Sequence, residues 1–466
     1  MPHLFSKHPR DVVLLALCAF SLTGCASLPD TKAILARHSA QAAQFETARG
    51  RVSARQSAAI VAALKRQSGD LDILDKQIAL EQSINDNPLV LGNKVTLLQD
   101  GPVTYAAMLK AISGAQDNIN MESYIIEDDA MGQVFAQALL KQQRGGVQVN
   151  LIYDSVGSLR TSRLFFGELR QAGVAVLEFN PVNPLASRGG AWLINNRDHR
   201  KLLIVDGRTA FIGGINISSV YSSGSIISRA PKGSDGNGAW RDTHLQIDGP
   251  VVADFQKLFM QTWTKQHGKT LMAKNYTPVL TPVGKDIVRA IGGTPDDPFS
   301  LVYLTLISAI DNAEKQIFLT NAYFVPDPQL MQALIDAAKR GVDVRLILPS
   351  YSDSSLVFHA GRAQYARLLA GGVHIYERQG ALLHAKTAMI DGVWSSVGSS
   401  NLDWRSFMDN DEVNAMILGR DFALQMAAMF ALDQAASLSI DPQTWADRPL
   451  KFKLKEWLAR LWERWL

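Results

Sequence analysis

The stretch His199-Arg200-Lys201-Leu202-Leu203-Ile204-Val205-Asp206-Gly207, followed by Gly213-Gly214-Ile215-Asn216, decides how this chain is read. It recurs as His384-Ala385-Lys386-Thr387-Ala388-Met389-Ile390-Asp391-Gly392, followed by Gly398-Ser399-Ser400-Asn401. One His-x-Lys-x4-Asp match can arise by chance in 466 residues; a second, with glycine and asparagine at the same downstream offsets, marks a duplication. On an extended strand side chains alternate, so each His and Lys share a face while Arg200 and Ala385 point the other way. Asp206-Gly207 and Asp391-Gly392 sit where a hairpin turn is expected, which gives each Asp a structural reading beside a chemical one.

The duplication extends on both sides. Ala111-Ile112-Ser113-Gly114-Ala115, Ile119 to Tyr124 and Arg144-Gly145-Gly146-Val147 to Ile152 in the first half answer Ala309-Ile310-Asp311-Asn312-Ala313, Ile317 to Tyr323 and Arg340-Gly341-Val342 to Leu348 in the second. In each, a helix ends at glycine and a β-branched run follows, the pattern of a sheet covered by helices. The fold class is therefore α/β, with two repeated domains, each a mixed sheet flanked by helices, sharing one active site at their interface. Domains are expected at 86–270 and 271–449, since glycine and proline concentrate near 268–298. Residues 25–85, rich in Ala and Gln, read as a helical or flexible stalk.

A His and a Lys side by side suit a phosphate: Lys201 and Lys386 supply positive charge, and His199 and His384 a nucleophilic or proton-carrying nitrogen. Asn216 and Asn401 add neutral donors for phosphoryl oxygens. One set from each half clamps a single phosphorus, so that one His attacks in line while the other protonates the leaving oxygen. The lysine pair takes the electrostatic part that a metal plays elsewhere, and no carboxylate cluster suggests one, so no metal or cofactor is expected. Each His needs an acceptor on its other nitrogen. Glu412, downstream of His384, and Asp242, downstream of His199, are the expected partners.

The motif pair resembles the phospholipase D superfamily, over residues from about 90 to 450. The resemblance implies the same two acids. It counts Asp206 and Asp391 in the motif without making them reacting groups. The family pattern Gly-Ser-x-Asn is kept at Gly398-Ser399-Ser400-Asn401, which puts the Ser399 hydroxyl among the phosphate-binding groups. The first copy has Gly214 instead, so a hydroxyl donor is missing there. Within the superfamily, Asn321-Ala322-Tyr323-Phe324-Val325-Pro326-Asp327, Asp242-Thr243-His244 to Pro250 and Leu402-Asp403-Trp404-Arg405 resemble bacterial cardiolipin synthases of the phospholipase D type. That implies transfer of a phosphatidyl group from phosphatidylglycerol to a second lipid alcohol, with glycerol released. By analogy His199 is the nucleophile forming a phosphohistidine and His384 the acid, then base; the reversed assignment stays open. So does a hydrolase, either a lipid phosphodiesterase or a nuclease, because water and alcohols use the same residues. A non-catalytic scaffold would show eroded His or Lys, and all four are intact.

The ends and the composition fit a lipid substrate. Lys7 and Arg10 precede an apolar run, Val12 to Leu22, that as a helix would span roughly 16 Å, about half a bilayer core. It ends in Leu22-Thr23-Gly24-Cys25, which resembles a bacterial lipobox, so residues 1–24 read as a signal peptide and Cys25 as the lipidated residue. A membrane-anchored lipoprotein on the periplasmic side or cell surface follows, with Ala26 resembling outer-membrane sorting. Cys18 and Cys25 are the only cysteines, which excludes thiol catalysis and a cysteine-held metal from the body. A net charge of +3 is too small a bias to argue for a nucleic-acid binder by charge alone, and no nucleic acid is expected as a partner. A monomer is expected. In the tail, 450–466, Leu454, Trp457, Leu458, Leu461, Trp462 and Trp465 share a helical stripe among Lys451, Lys453, Lys455, Arg460 and Arg464. Such a helix suits an anionic membrane surface; the alternative is a terminal helix packed on its own domain.

Overall fold

The computed structural model describes residues 30–37, 43–68, 73–84, 87–186, 192–223 and 239–463. Residues 1–24, which read as a signal peptide, the expected lipidation site Cys25 and residues 224–238 lie outside them. The chain opens with α1 (Thr31–Arg37), a small hairpin of β1 (Phe45–Thr47) and β2 (Gly50–Arg51), then α2 (Ala54–Ser68) and α3 (Ile73–Ile84). The first half runs β3 (Leu89–Gln99), α4 (Gly101–Gly114), β4 (Asn118–Ser123), α5 (Ala130–Arg144), β5 (Gln148–Asp154), α6 (Arg163–Gln171), β6 (Ala175–Phe179), β7 (Arg197–Asp198), β8 (Lys201–Val205), β9 (Thr209–Gly213), β10 (Trp240–Arg241), β11 (Thr243–Asp248) and α7 (Val252–Lys265). No helix or strand lies between Lys265 and Asp286.

The second half repeats the plan. It runs β12 (Asp286–Gly293), α8 (Leu301–Asp311), β13 (Gln316–Asn321), α9 (Pro328–Lys339), β14 (Asp343–Pro349), α10 (Ser355–Arg362), α11 (Tyr365–Ala370) and β15 (His374–Arg378). It continues with β16 (Leu382–Leu383), β17 (Lys386–Ile390), β18 (Trp394–Gly398), α12 (Trp404–Met408), β19 (Asn410–Leu418) and α13 (Arg420–Ala435). A closing segment adds β20 (Ser437–Ser439), α14 (Pro442–Ala446) and α15 (Leu450–Arg460).

Local chemistry sets the boundaries. The Asp129 carboxylate accepts from the Met131 and Gly132 amides to start α5, and Asp327 accepts from Gln329 and Leu330 to start α9, with Pro328 at the first helical position. The corresponding helix ends release the chain through Gly146 and Gly341, both at φ 92°, a backbone that glycine adopts without strain.

The first sheet has the order β6-β5-β4-β8-β9-β11-β3, parallel over β6-β5-β4 and antiparallel beyond. The second has the same plan, β15-β14-β13-β17-β18-β19-β12. Strand β3 joins them: its later residues pair with β11, and its earlier ones pair with β12. Between the sheets lies a core drawn from both halves, including Ile212, Leu245, Phe255 and Phe259 from the first and Ala290, Val413, Ala415 and Met426 from the second. Burial of each large side chain is worth about 1.5–3 kcal/mol, so the halves form one body.

The expected stalk is not free. Phe45, Leu64, Ile73, Leu74 and Ile78 are buried in the core of the second half, and β1 pairs in parallel with β3. On α3 the inward face is interrupted by polar residues that have found partners. Glu81 accepts from Arg289 Nη1 at 2.6 Å and from Trp394 Nε1 at 3.0 Å, and Gln77 donates to the Thr305 carbonyl at 2.9 Å. A buried Gln and Glu break the apolar stripe, so the sequence reads as solvated where the structure is packed.

Candidate active site

Two short strands carry each half onto the other. β7 pairs in parallel with the start of β19, matching Arg197 with Asn410 and Asp198 with Asp411. The ladder continues as His199 N–H donates to the Asp411 carbonyl at 2.9 Å. One residue further, His199 Nδ1 lies 3.0 and 3.2 Å from the two Glu412 oxygens. The mirror arrangement uses β10 and β16, which pair Trp240 with Leu382 and Arg241 with Leu383. His384 N–H donates to the Arg241 carbonyl at 2.8 Å, and His384 Nδ1 lies 2.7 Å from Asp242 Oδ2. The acids are therefore exchanged relative to expectation: Glu412 serves His199 and Asp242 serves His384.

An ionised carboxylate only accepts, so each Nδ1 carries the proton and each Nε2 keeps its lone pair. Burial would raise both acids. His199, Lys201 and the Ser399 hydroxyl outweigh it at Glu412, and His384, Lys386 and the Thr243 amide at Asp242, so both carboxyls sit below the usual range. Burial, then the Lys201 charge, pushes the His199 imidazole down to about 4; burial and Lys386 lower His384 likewise. The lysines are also held low, Lys201 at about 7 and Lys386 at about 8, burial being the main cause for each. Each ammonium donates back to the carbonyl of its own histidine at 2.5 Å, Lys201 to His199 and Lys386 to His384. The site thus holds two neutral imidazoles, two carboxylates and two lysines that lose charge near neutrality, whose charged forms a bound anion would favour.

The family model described as cardiolipin synthase, phospholipase D-like domain, matches residues 108–223 and 306–433. The cardiolipin synthase of Geobacillus sp. (strain WCH70) is 36% identical over 388 residues, 82% of this chain and 74% of that protein. The chain belongs to the cardiolipin synthase family of phospholipase D-like proteins. The major cardiolipin synthase ClsA of Bacillus subtilis (strain 168) is 34% identical over 79% of this chain and 74% of its own. The fold is shared with the crystal structure of phosphatidylserine synthase from Haemophilus influenzae Rd KW20, with a TM-score of 0.62 and 12% identity over 83% of this chain and 99% of that one.

Within this cardiolipin synthase family site, several predicted residues take other positions. Ser399 does not stand free for a phosphate: its hydroxyl donates to Glu412 Oε2 and accepts from the Val413 amide at 3.0 Å. The missing hydroxyl at Gly214 has a steric cause, since a Cβ there would lie 2.2 Å from Asp242 Oδ1. The shorter acid, drawn close to its backbone, occupies the room that serine uses opposite the longer one. Asn216 is committed to the fold: its side-chain Oδ1 accepts from the Ile125 amide at 3.1 Å, and its Nδ2 donates to Tyr221 Oη at 3.2 Å. Asn401 is buried with its amide oxygen unpartnered.

Asp206 and Asp391, predicted within the motif, are turn residues. Asp206-Gly207 and Asp391-Gly392 have φ of 54° and 61°, and 54° and 67°, the double left-handed turn of a tight hairpin. The Asp206 carboxylate accepts from the amides of Gln116, Asp117 and Asn118, and Asp391 from those of Glu314, Lys315 and Gln316. At ~3.3 Å per residue each lies roughly 17 Å along its strand from the lysine, at the far end.

The sequence reading missed the aromatic walls. Tyr124 packs edge-on to His199 with ring centroids 5.1 Å apart and lies 5.2 Å below Lys201 Nζ. Around His384 stand Trp240 at 5.2 Å, Tyr221 at 6.0 Å and Tyr323 at 6.4 Å. Tyr221 Oη also lies 3.2 Å from His384 Nδ1. Tyr124 and Tyr323 follow the matching strands β4 and β13, one residue past Ser123 and two past Asn321.

Proposed function

We propose that this chain is a cardiolipin synthase that works through a phosphohistidine on His199. The observation that carries the proposal is the pair of buried His–carboxylate couples with two lysines in one site. In the first step His199 Nε2 attacks the phosphorus of phosphatidylglycerol. The bond from phosphorus to the headgroup glycerol breaks as imidazolium His384 gives its proton to the leaving oxygen. The bound phosphodiester anion offsets the burial and the Lys386 charge that hold His384 neutral in the free enzyme, and so favours the imidazolium. In the second step a glycerol hydroxyl of another phosphatidylglycerol gives its proton to His384 and attacks the phosphorus. The N–P bond breaks, cardiolipin leaves, and both histidines return to their starting states. Lys201 and Lys386, with Asn401, hold the phosphoryl oxygens and stabilise charge as the phosphorus becomes five-coordinate. Glu412 and Asp242 fix the tautomers. An acylated Cys25 holds the monomeric enzyme at the membrane that supplies its substrate, on the periplasmic side.

Purified protein incubated with phosphatidylglycerol in the presence of a chelator tests the proposal. Cardiolipin and glycerol in equal amounts support it. Phosphatidic acid as the sole product means that water is the acceptor, and no turnover of any phospholipid defeats it.

A further inference from the structure

The closing helix α15 is turned inside out. Its buried residues are Glu456 and Ala459, at 2% and 3% exposure. Its large apolar side chains face away from the protein: Leu454 and Trp457 are 58% exposed, Leu458 47%, and just beyond the helix Leu461 is 63% and Trp462 55% exposed. At 3.6 residues per turn, the stripe through Leu454, Trp457, Leu458 and Leu461 lies about half a turn from Glu456 and Ala459. A helix docked for its own stability would bury that stripe, which is what most terminal helices do.

Charge is arranged around the stripe. Lys453, which donates to the Ala446 carbonyl at 2.7 Å, and Arg460, 3.9 Å from Glu463, lie along one border, and Lys451 and Lys455 along the other. The one acid of the helix, Glu456, is turned inward, where it accepts from Arg448 and sits 4.0 Å from Arg362. The outward surface is therefore apolar at its centre and cationic on both flanks. A second copy of the chain fits it poorly, because a twofold contact would bring lysines against lysines. An anionic lipid surface fits both parts, the acyl region taking Leu and Trp and the headgroups taking Lys and Arg.

The helix also stands beside the chemistry. Ala459 packs with Val325, Val357 and Ala360, against Tyr323. The Tyr323 ring lies 6.4 Å from His384, and its hydroxyl donates to Asp353 at 2.6 Å. We infer that α15 is an in-plane foot, which lies on an anionic bilayer and sets the His384 side of the site against the lipid from which substrate enters. The entry of substrate rests on the function proposed above, whereas the binding does not.

Full-length protein is mixed with vesicles of phosphatidylcholine and phosphatidylglycerol whose acyl chains carry bromine, and tryptophan emission is followed. Quenching is expected, weakened when phosphatidylglycerol is left out, and reduced by about half or more in Trp457→Phe/Trp462→Phe. Leu454→Ser/Leu461→Ser, folded with an unchanged unfolding midpoint, is expected to turn over vesicle phosphatidylglycerol about tenfold more slowly, while dispersed short-chain phosphatidylglycerol is unaffected. Equal quenching in the Phe variant, or equal vesicle turnover in the Ser variant, overturns the proposal. So does a Ser variant that changes only from dimer to monomer by sedimentation. A chain that is quenched but never active fails as a synthase and keeps its foot.

Discussion

Glu412 bonds His199 at 3.0 Å across 213 residues of chain, and Asp242 bonds His384 at 2.7 Å across 142. Neither half contains a complete couple. The exchange follows from two parallel strand pairs of two residues each, which run one half's acid beside the other's histidine. A double-mutant cycle should see it. Glu412→Gln is expected to slow turnover by about 10²–10⁴-fold and to add little once His199 is replaced. Combined with His384→Ala it should cost more than either alone. Coupling of Glu412 to His384 rather than to His199 would refute the observed pairing.

The two histidines should be separable by leaving group. With phosphatidylglycerol, His199→Ala and His384→Ala are each expected to lose about 10³-fold or more. With a phosphatidyl p-nitrophenol ester the departing phenolate needs no proton. His384→Ala should then release a burst of p-nitrophenol equal to the enzyme present, and His199→Ala none. A burst in the second variant alone would reverse the assignment of the nucleophile.

The rate of the free enzyme should depend on pH with two limbs. His199 attacks only when neutral, so kcat/KM rises as pH passes about 4, where its proton leaves. On the alkaline side His384 must keep the proton it gives to the leaving oxygen, and burial moves the loss of that proton below the usual histidine range. Lys201 and Lys386 bind phosphate only when charged, so kcat/KM falls first with His384 and further as pH passes about 7 to 8. In Lys201→Arg the guanidinium keeps its charge, and the later part of the alkaline limb should move upward even if the maximum is lower. An alkaline limb unchanged in this variant, and also in Lys386→Arg, would remove the lysines as a source of it.

Position 214 should not accept the serine that position 399 carries. In Gly214→Ser the new Cβ meets Asp242 and displaces the acceptor of His384. Activity is expected to fall about 10²-fold or more while Glu412 and His199 stay in place. Ser399→Gly opens no clash and removes one hydrogen bond to Glu412, so its loss should be about tenfold or less. Kinetics and unfolding midpoints of both variants decide, and a fully active Gly214→Ser would sink the steric account.

Asp206 and Asp391 should matter to stability more than to turnover. Each carboxylate accepts from three backbone amides. Asp206→Ala should cost about 1.5–3 kcal/mol, and Asp206→Asn less, because asparagine tolerates the left-handed backbone. Initial rates per folded molecule are expected to stay within about twofold in both. A large loss in rate without loss of stability would return these residues to the chemistry.

Much of this was legible locally. The period of two in His-x-Lys placed imidazole and ammonium on one strand face, and Arg200 does face away, donating to the Glu412 and Gly293 carbonyls at 3.1 Å each. The Asp-Gly turns and the helix-ending glycines read the same way in sequence and structure, because backbone conformation there depends on one or two residues. Residues 73–84 read less well, since Gln77 and Glu81 look solvated until Thr305, Arg289 and Trp394 supply partners from far along the chain.

By itself the sequence determined the duplication, the α/β plan and the reactive set of two His, two Lys and two acids, all carried by residue type and short spacing. Only the tertiary structure decided which acid serves which histidine, that Ser399 attends Glu412 rather than a phosphate, and which face α15 turns outward. Each of these depends on partners brought together through the sheets and the core between them, and spacing along a chain carries no record of what lies across that core.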